Sequence, residues 1–251
     1  MSISNSPEFI VPEWPVPPGV ACLATTRRGG ASHGVFCSLN LGDHVGDDPE
    51  AVAANRDIVN RRIGARPVWL SQVHGTRVVD AAIHCMSDVS PEADAAFSRR
   101  TGAACTVMTA DCLPVLFCDD AGTVVAAAHA GWRGLLAGVL ETTVTTMGVP
   151  RKNLLAWLGP AIGPAAFEVG DEVRRAFVDV ASEAAPAFRP KSDGKWLADI
   201  YLLARLRLAG HGVERVFGGN YCTVTESERF FSYRRDGQTG RMASMIWLNE
   251  R

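Results

Sequence analysis

Short apolar runs broken by turn residues dominate the chain. Val20 to Thr26 reads as a strand that runs into Arg27-Arg28-Gly29-Gly30, a turn signal. Asp48-Pro49-Glu50 predicts a helix start, with Asp at the cap and Pro at the first helical position. Val52, Ile58, Val59 and Ile63 follow at near-helical spacing and Gly64 closes that helix. Pro67 to Val73 predicts a short strand ending at His74-Gly75, and Thr76 to Ile83 predicts its return strand. Ala103 to Ala110, Pro114 to Cys118 and Thr123 to Ala128 are three more strand-like runs, the last two split by the turn Asp119-Asp120-Ala121-Gly122.

Leu135, Leu136, Val139, Leu140, Val144 and Met147 form one apolar stripe at helical spacing. Leu154 to Leu158, Glu214 to Phe217 and Ser244 to Leu248 predict strands, while helices are expected from near Asp171 and over Ile200 to Leu208. Strict strand–helix alternation fails, so an α+β fold with mixed sheets fits better than a doubly wound or barrel fold. The Pro-rich residues 1–18 predict an extended lead-in, and residues 19–251 a single catalytic domain.

Composition narrows the classes. With 251 residues, 47% hydrophobic and 21% charged, the chain can bury a sizeable core without staples. A net charge of −2, with basic residues never running beyond pairs, argues against a nucleic-acid partner. No apolar run approaches the roughly 20 residues of a membrane helix, and the polar N-terminus is unlike a secretory signal. A cytoplasmic location is the expectation. The seven cysteines are odd in number and contain no CxxC pair, which suits small buried hydrophobes better than disulfides.

Three residues break that bland reading. His74, Cys112 and His129 each follow or end an apolar run, where neighbouring strands would bring their ends together. A His2Cys set can hold zinc with a fourth position open. The separations of 38 and 17 residues are too long for a zinc finger. The same atoms also permit a metal-free arrangement, with Cys112 as nucleophile, a histidine as base and Asp111 as a polarising group. A multicopper centre would need more: the chain has six histidines and no His-x-His pair.

The segments Ser71-Gln72-Val73-His74-Gly75, Thr109-Ala110-Asp111-Cys112-Leu113-Pro114 and Ala128-His129-Ala130-Gly131-Trp132-Arg133-Gly134 resemble the signature of the YfiH family. That family is also called the polyphenol oxidase or laccase-domain family, and purine nucleoside phosphorylase of the YfiH/FAMIN type. The likeness continues in order through Thr25-Thr26-Arg27, Ser38-Leu39-Asn40-Leu41, Ala93-Asp94-Ala95, Leu158 to Gly163 and Phe167 to Gly170. It ends with Cys222-Thr223, Arg229 to Asp236 and Gly240-Arg241, so it spans roughly Val20 to Leu248.

The resemblance implies a layered α/β/β/α domain of the α+β class. It implies one Zn2+ per chain on His74, Cys112 and His129, with copper as the second candidate metal. The implied activity is phosphorolysis of purine nucleosides (adenosine, inosine, guanosine, methylthioadenosine), so the partners are a nucleoside and phosphate. Adenosine deamination and an amidase role on UDP-MurNAc-amino acid precursors are the other reactions it implies.

These chemistries set the remaining expectations. Deamination needs a proton-shuttling carboxylate beside activated water, for which Asp111, Glu168 and Asp94 are candidates. Phosphorolysis needs an anion anchor. Arg133 leads, beside Gly134 as the expected start of a helix, with Arg27 and Arg234 as further candidates. Asn40, Gln72 and Ser232 are expected to contact base or ribose. Phe36, Phe230, Phe231 and Tyr233 offer a purine slot, although core packing is the expected role for at least two of them.

Overall fold

A computed structural model describes residues 6–87 and 89–250. Along the chain run β1 (Phe9–Ile10), β2 (Val20–Thr25), α1 (Pro49–Arg62), β3 (Arg66–Val68), β4 (Val78–Asp80), α2 (Ala81–His84), β5 (Ala95–Ser98), β6 (Ala103–Thr109), β7 (Leu113–Asp119) and β8 (Val125–Ala130). The second half adds α3 (Trp132–Ala137), α4 (Val139–Met147), β9 (Leu154–Leu158), β10 (Glu168–Gly170), α5 (Asp171–Val180), β11 (Phe188–Pro190), β12 (Lys195–Ala198), α6 (Ile200–Gly210), β13 (Arg215–Gly218), α7 (Tyr233–Asp236) and β14 (Met242–Leu248).

Two large mixed sheets form, ordered β1-β2-β14-β6-β3 and β13-β9-β7-β8-β5-β4, beside a small sheet β10-β12-β11. The side-chain period of two sorts each strand between two cores. In β6, Cys105 and Val107 join Leu116, Cys118, Val125, Ala127 and Ile246 between the sheets. The alternate residues Ala104 and Met108 pack with Val59 and Ile63 at the end of α1, on the outer face of the five-stranded sheet. In β7, Leu113, Val115 and Phe117 face Leu140, Val144, Leu203 and Leu208 of α4 and α6 on the outer face of the other sheet. Helix, sheet, sheet and helix therefore stack in that order, which is the layered α+β fold expected.

Local signals place the helices. Asp48 accepts a hydrogen bond from the Glu50 amide at 3.0 Å with Pro49 as the first helical residue, and Asp199 caps α6 at Leu202 N, 2.9 Å. Two expectations need correction. The apolar stripe from Leu135 to Met147 is two helices, because Gly138 at φ 96° breaks it. Pro67 to Val73 and Thr76 to Ile83 are not a hairpin. β3 pairs parallel with β6 in one sheet, β4 pairs parallel with β5 in the other, and Ala81–His84 turns helical behind an Asp80 cap. A period-two pattern does not say which sheet a strand joins. The lead-in is drawn into the fold: β1 pairs antiparallel with β2, and Trp14 is buried with its indole N–H on Cys22 Sγ at 3.3 Å. Residues 1–5 of that lead-in lie outside the described residues. No helix among the described residues is long and apolar enough to cross a membrane.

Candidate metal centre and cleft

The chain crosses between the two large sheets several times, and two of those crossings carry His74 and Cys112. The segment from β3 to β4 carries His74, and the tight turn from β6 to β7 carries Cys112. His129 sits one residue from the end of β8, on the same strand face as Val125 and Ala127, so it looks between the sheets. The turn at Cys112 is made by Asp111 at φ 90°, and His74 itself sits at φ 60°. Such values are uncommon outside glycine and cost free energy unless the surroundings over-determine them.

Asp94 supplies that determination at His74. It lies immediately before β5, whose antiparallel register with β8 (Ala95 opposite Ala128) sets it across from His129. Its carboxylate is fully buried. Oδ2 accepts from the Val73 and Gly75 amides at 3.1 and 2.6 Å, and Oδ1 from the His74 amide at 2.9 Å. Oδ1 also accepts from His129 Nδ1 at 2.8 Å. Burial opposes its ionisation, but the hydrogen bonds from His129, Gly75 and Val73 outweigh that, and the carboxyl is held below its usual range. With Nδ1–H committed to Asp94, the Nε2 lone pair of His129 is left for another partner.

That partner would lie among His74, Cys112 and His129, whose donor atoms all fall within 4.8 Å of one another. Cys112 Sγ is 3.7 Å from His74 Nε2. A sulfur and a nitrogen on one tetrahedral zinc, at about 2.3 and 2.05 Å, stand about 3.6 Å apart. The rings of His74 and His129 meet edge-on at 73°, with centroids 4.7 Å apart. The three donors could hold a metal ion, and the Sγ–Nε2 spacing is close to the tetrahedral value. Gly131 makes room for it, since a Cβ there would meet His74 Cδ2 at 2.8 Å and Cys112 Sγ at 2.9 Å.

Charge prepares the same site. Burial opposes the Cys112 thiolate, but the charge and hydrogen bond of His129 and the hydrogen bond of His74 bring its pKa down to about 6. Burial likewise opposes charging of His129, yet Cys112 and Asp94 raise it to about 9. The metal-free pair is thus a thiolate beside an imidazolium, and a cation replaces a proton on binding.

A cleft of about 430 Å³ opens over these donors. Of the candidate site residues, Gln72, Asp111, Arg133 and Arg234 line it with the three donors. Five expected residues lie elsewhere. Asp94 is spent behind the ligands. Asn40 is fully buried, and its Oδ1 accepts from Gly42 N (2.9 Å) and Arg241 N (2.8 Å). Ser232 is buried and caps α7 through Arg235 N at 3.2 Å. Glu168 pairs with Lys191 at 2.5 Å outside the lining. Arg27 donates to the Cys37 and Ser227 carbonyls and stacks on Phe231.

Gln72 and Asp111 are largely committed to the framework. Gln72 exchanges hydrogen bonds with the Met108 backbone, at 2.8 and 2.7 Å. Asp111 accepts from Thr223 Oγ1 at 2.5 Å and from Arg234 N at 2.6 Å. Phe36, Phe230 and Phe231 are core residues, whereas Tyr233 lines the cleft. The helix after His129 starts at Trp132, so Gly134 lies inside its first turn. His44, Trp132, Ile162, Phe167, Ile200 and Arg241 also line the cleft. Arg241 and Phe167 fell within resemblance segments, but nothing in those segments marked them as facing a ligand.

Residues 21–249 match the family described as multi-copper polyphenol oxidoreductase laccase. The chain is 58% identical over 243 residues to an Escherichia coli protein named purine nucleoside phosphorylase YfiH, covering 96% of this chain and 99% of that one. A Pseudomonas aeruginosa protein named as a purine nucleoside phosphorylase is 57% identical over 245 residues, with the same two coverages. The crystal structure of Neisseria meningitidis protein NMB0706 superposes with a TM-score of 0.94 at 55% identity, covering 96% of this chain and 99% of that one.

Proposed function

The chain belongs to the multi-copper polyphenol oxidoreductase laccase family, and we propose that within it this protein is a zinc-dependent purine nucleoside phosphorylase. The substrates would be adenosine, inosine, guanosine and methylthioadenosine. In each, the bond from the sugar C1′ to the base nitrogen breaks, a bond from C1′ to a phosphate oxygen forms, and the base leaves with a proton. The observation that carries this reading is the three-donor site at the floor of a cleft that also holds aromatic side chains and three arginines. Relatives named for this activity cover nearly the whole chain.

His74, Cys112 and His129 would hold the zinc, which supplies Lewis acidity at the cleft floor. Asp94 keeps His129 in one tautomer and His74 in its left-handed backbone. Phe167, Trp132, Tyr233 and Ile162 offer the purine a partly apolar slot. Nothing in this chemistry calls for a nucleic-acid or membrane partner, and it suits a cytoplasmic enzyme. Zinc is preferred to copper because the family's copper-oxidase description needs several more histidines than the three-donor group provides.

Deamination of adenosine at the same site is the weaker part of the reading. It needs a carboxylate free to move protons, and Asp111, the carboxylate of the lining, holds two hydrogen bonds already. The amidase reading meets the same obstacle. One observation favours a metal-free cysteine hydrolase: the Cys112 thiol is depressed to about 6 beside two histidines.

The deciding experiment is metal content by mass spectrometry on untagged protein, beside inosine turnover with and without phosphate. One zinc per chain with phosphate-dependent hypoxanthine release is expected. Zinc without nucleoside turnover would favour the amidase. Retained activity with no metal would make Cys112 a nucleophile.

A further inference from the structure

We propose that Arg133, Arg234 and Arg241 form an oxyanion subsite on the wall of the cleft, and that its ligand is free inorganic phosphate. The assignment deepens the phosphorylase reading and rests on it. All three side chains line the same cleft as the metal donors. Each is held by neutral groups. Arg241 donates Nη1 to the Thr239 and Gly240 carbonyls at 2.9 and 3.1 Å. Its backbone is pinned as well, with its amide on Asn40 Oδ1 at 2.8 Å and its carbonyl accepting from Leu41 N at 3.1 Å. Arg234 donates Nη1 to the Glu168 carbonyl at 2.8 Å. Arg133 stacks on Trp132, its guanidinium carbon 4.5 Å from the ring centroid.

Neutral groups hold all three, and among the described residues none of them is in a salt bridge. Several arginines elsewhere are neutralised, Arg56 by Asp43, Arg207 by Glu141, Arg229 by Glu8 and Glu226, Arg235 by Asp236, while Arg27 and Arg205, also held by carbonyls, lie outside the cleft lining. A guanidinium fixed by carbonyls or a ring keeps its full charge and its free N–H fork for a ligand. The lining contains one carboxylate, Asp111, and both its oxygens already accept hydrogen bonds, one of them from the Arg234 amide. Three guanidinium groups against the single carboxylate of Asp111 leave the lining with an excess of positive charge, which suits a compact dianion better than a neutral sugar. Arg27 is also held by two loop carbonyls, but it does not reach the lining.

The test titrates inorganic phosphate into the zinc-loaded protein, read by calorimetry, beside steady-state inosine kinetics. Arg133→Ala is the principal variant, because Arg133 is exposed and its removal disturbs no hydrogen bond in the fold. Arg241→Lys is the second, keeping charge and losing the fork. Each should weaken phosphate binding about tenfold or more, with the KM for phosphate raised in step. The KM for inosine and the zinc content should stay within about twofold of the parent.

Phosphate affinity within about twofold of the parent in both variants would overturn the subsite. If a nucleoside 5′-monophosphate binds at these arginines while inorganic phosphate does not, the assignment to the free anion is also overturned. If the parent binds phosphate through them and cleaves no nucleoside, the subsite stands and the phosphorylase reading falls. Phosphate-dependent cleavage unaffected by either substitution leaves that reading standing and removes the subsite.

Discussion

The floor and the wall of the cleft are built on opposite principles. The floor is made of His74, Cys112 and His129, backed by the fully buried Asp94, and every polar atom of Asp94 is engaged. One carboxylate sets two of the three donors, so the floor is coupled. The wall is made of side chains from three unrelated stretches: Arg133 on the first turn of α3, Arg234 on α7, and Arg241 just before β14. Each is held by its own neutral neighbour and none depends on another. Changes to the floor should therefore propagate, and changes to the wall should stay local.

The largest expected effect comes from the donors. Cys112→Ala and His129→Ala should each bring bound zinc to near zero with loss of turnover, measured by metal analysis of the purified variants. Zinc at full stoichiometry in either variant would dissolve the distinction between floor and wall. Gly131→Ala comes next. Its Cβ would stand 2.8 and 2.9 Å from ligand atoms on a helix-capping residue that cannot move freely, so zinc affinity should fall by a factor of about 100. A competition titration with a chelator measures it.

Asp94→Asn removes no donor, yet it loses the charge that accepts four hydrogen bonds. A zinc affinity about 10- to 100-fold weaker is expected, with the loss exceeding that of any wall substitution. Unchanged zinc affinity would mean the carboxylate serves the loop alone.

Smaller still is the effect of pH on the stripped floor. The depressed pKa makes Cys112 a thiolate above about 6, so iodoacetamide labelling of chelator-treated protein should rise through pH 6 and level off by neutrality. An ordinary thiol would still be climbing near 8.5. Zinc should suppress the labelling at every pH, and rapid labelling of the zinc-loaded protein would count against Cys112 as a ligand. At the bottom of the scale, Arg133→Ala should change stability by no more than about 0.5 kcal/mol in a denaturant melt, since it removes a stacked, exposed side chain.

Much of this was legible before folding. The apolar strand runs between Ala103 and Ala128 and the Asp-Pro start of α1 are local patterns that appear close to where the sequence put them, and the apolar stripe after Trp132 is helical although split at Gly138. The donors His74, Cys112 and His129 are polar residues at the margins of apolar runs, and an approach of those margins was foreseeable. The errors have a common cause. The imagined hairpin around His74 failed because the two strands sit in different sheets, and pairing partners are chosen by packing across the whole molecule, not by the strand's own alternation.

The roles of individual polar residues are the clearest case of what tertiary structure alone decided. Asp94, Asn40 and Ser232 looked like ligand-facing residues, and each is buried with its side chain hydrogen-bonded to backbone, to His129 or to Asp47. A sequence states which groups can donate or accept, whereas burial decides which of them must be satisfied internally. Residue types and their local periodicity determined that this chain is an α+β protein with mixed sheets and a His-Cys-His set, and the resemblance added the layering. Only the packing of two sheets against each other decided that those three donors meet, that Asp94 stands behind them, and that Arg241 stands beside them. Those contacts join residues tens to hundreds of positions apart, and no local pattern encodes them.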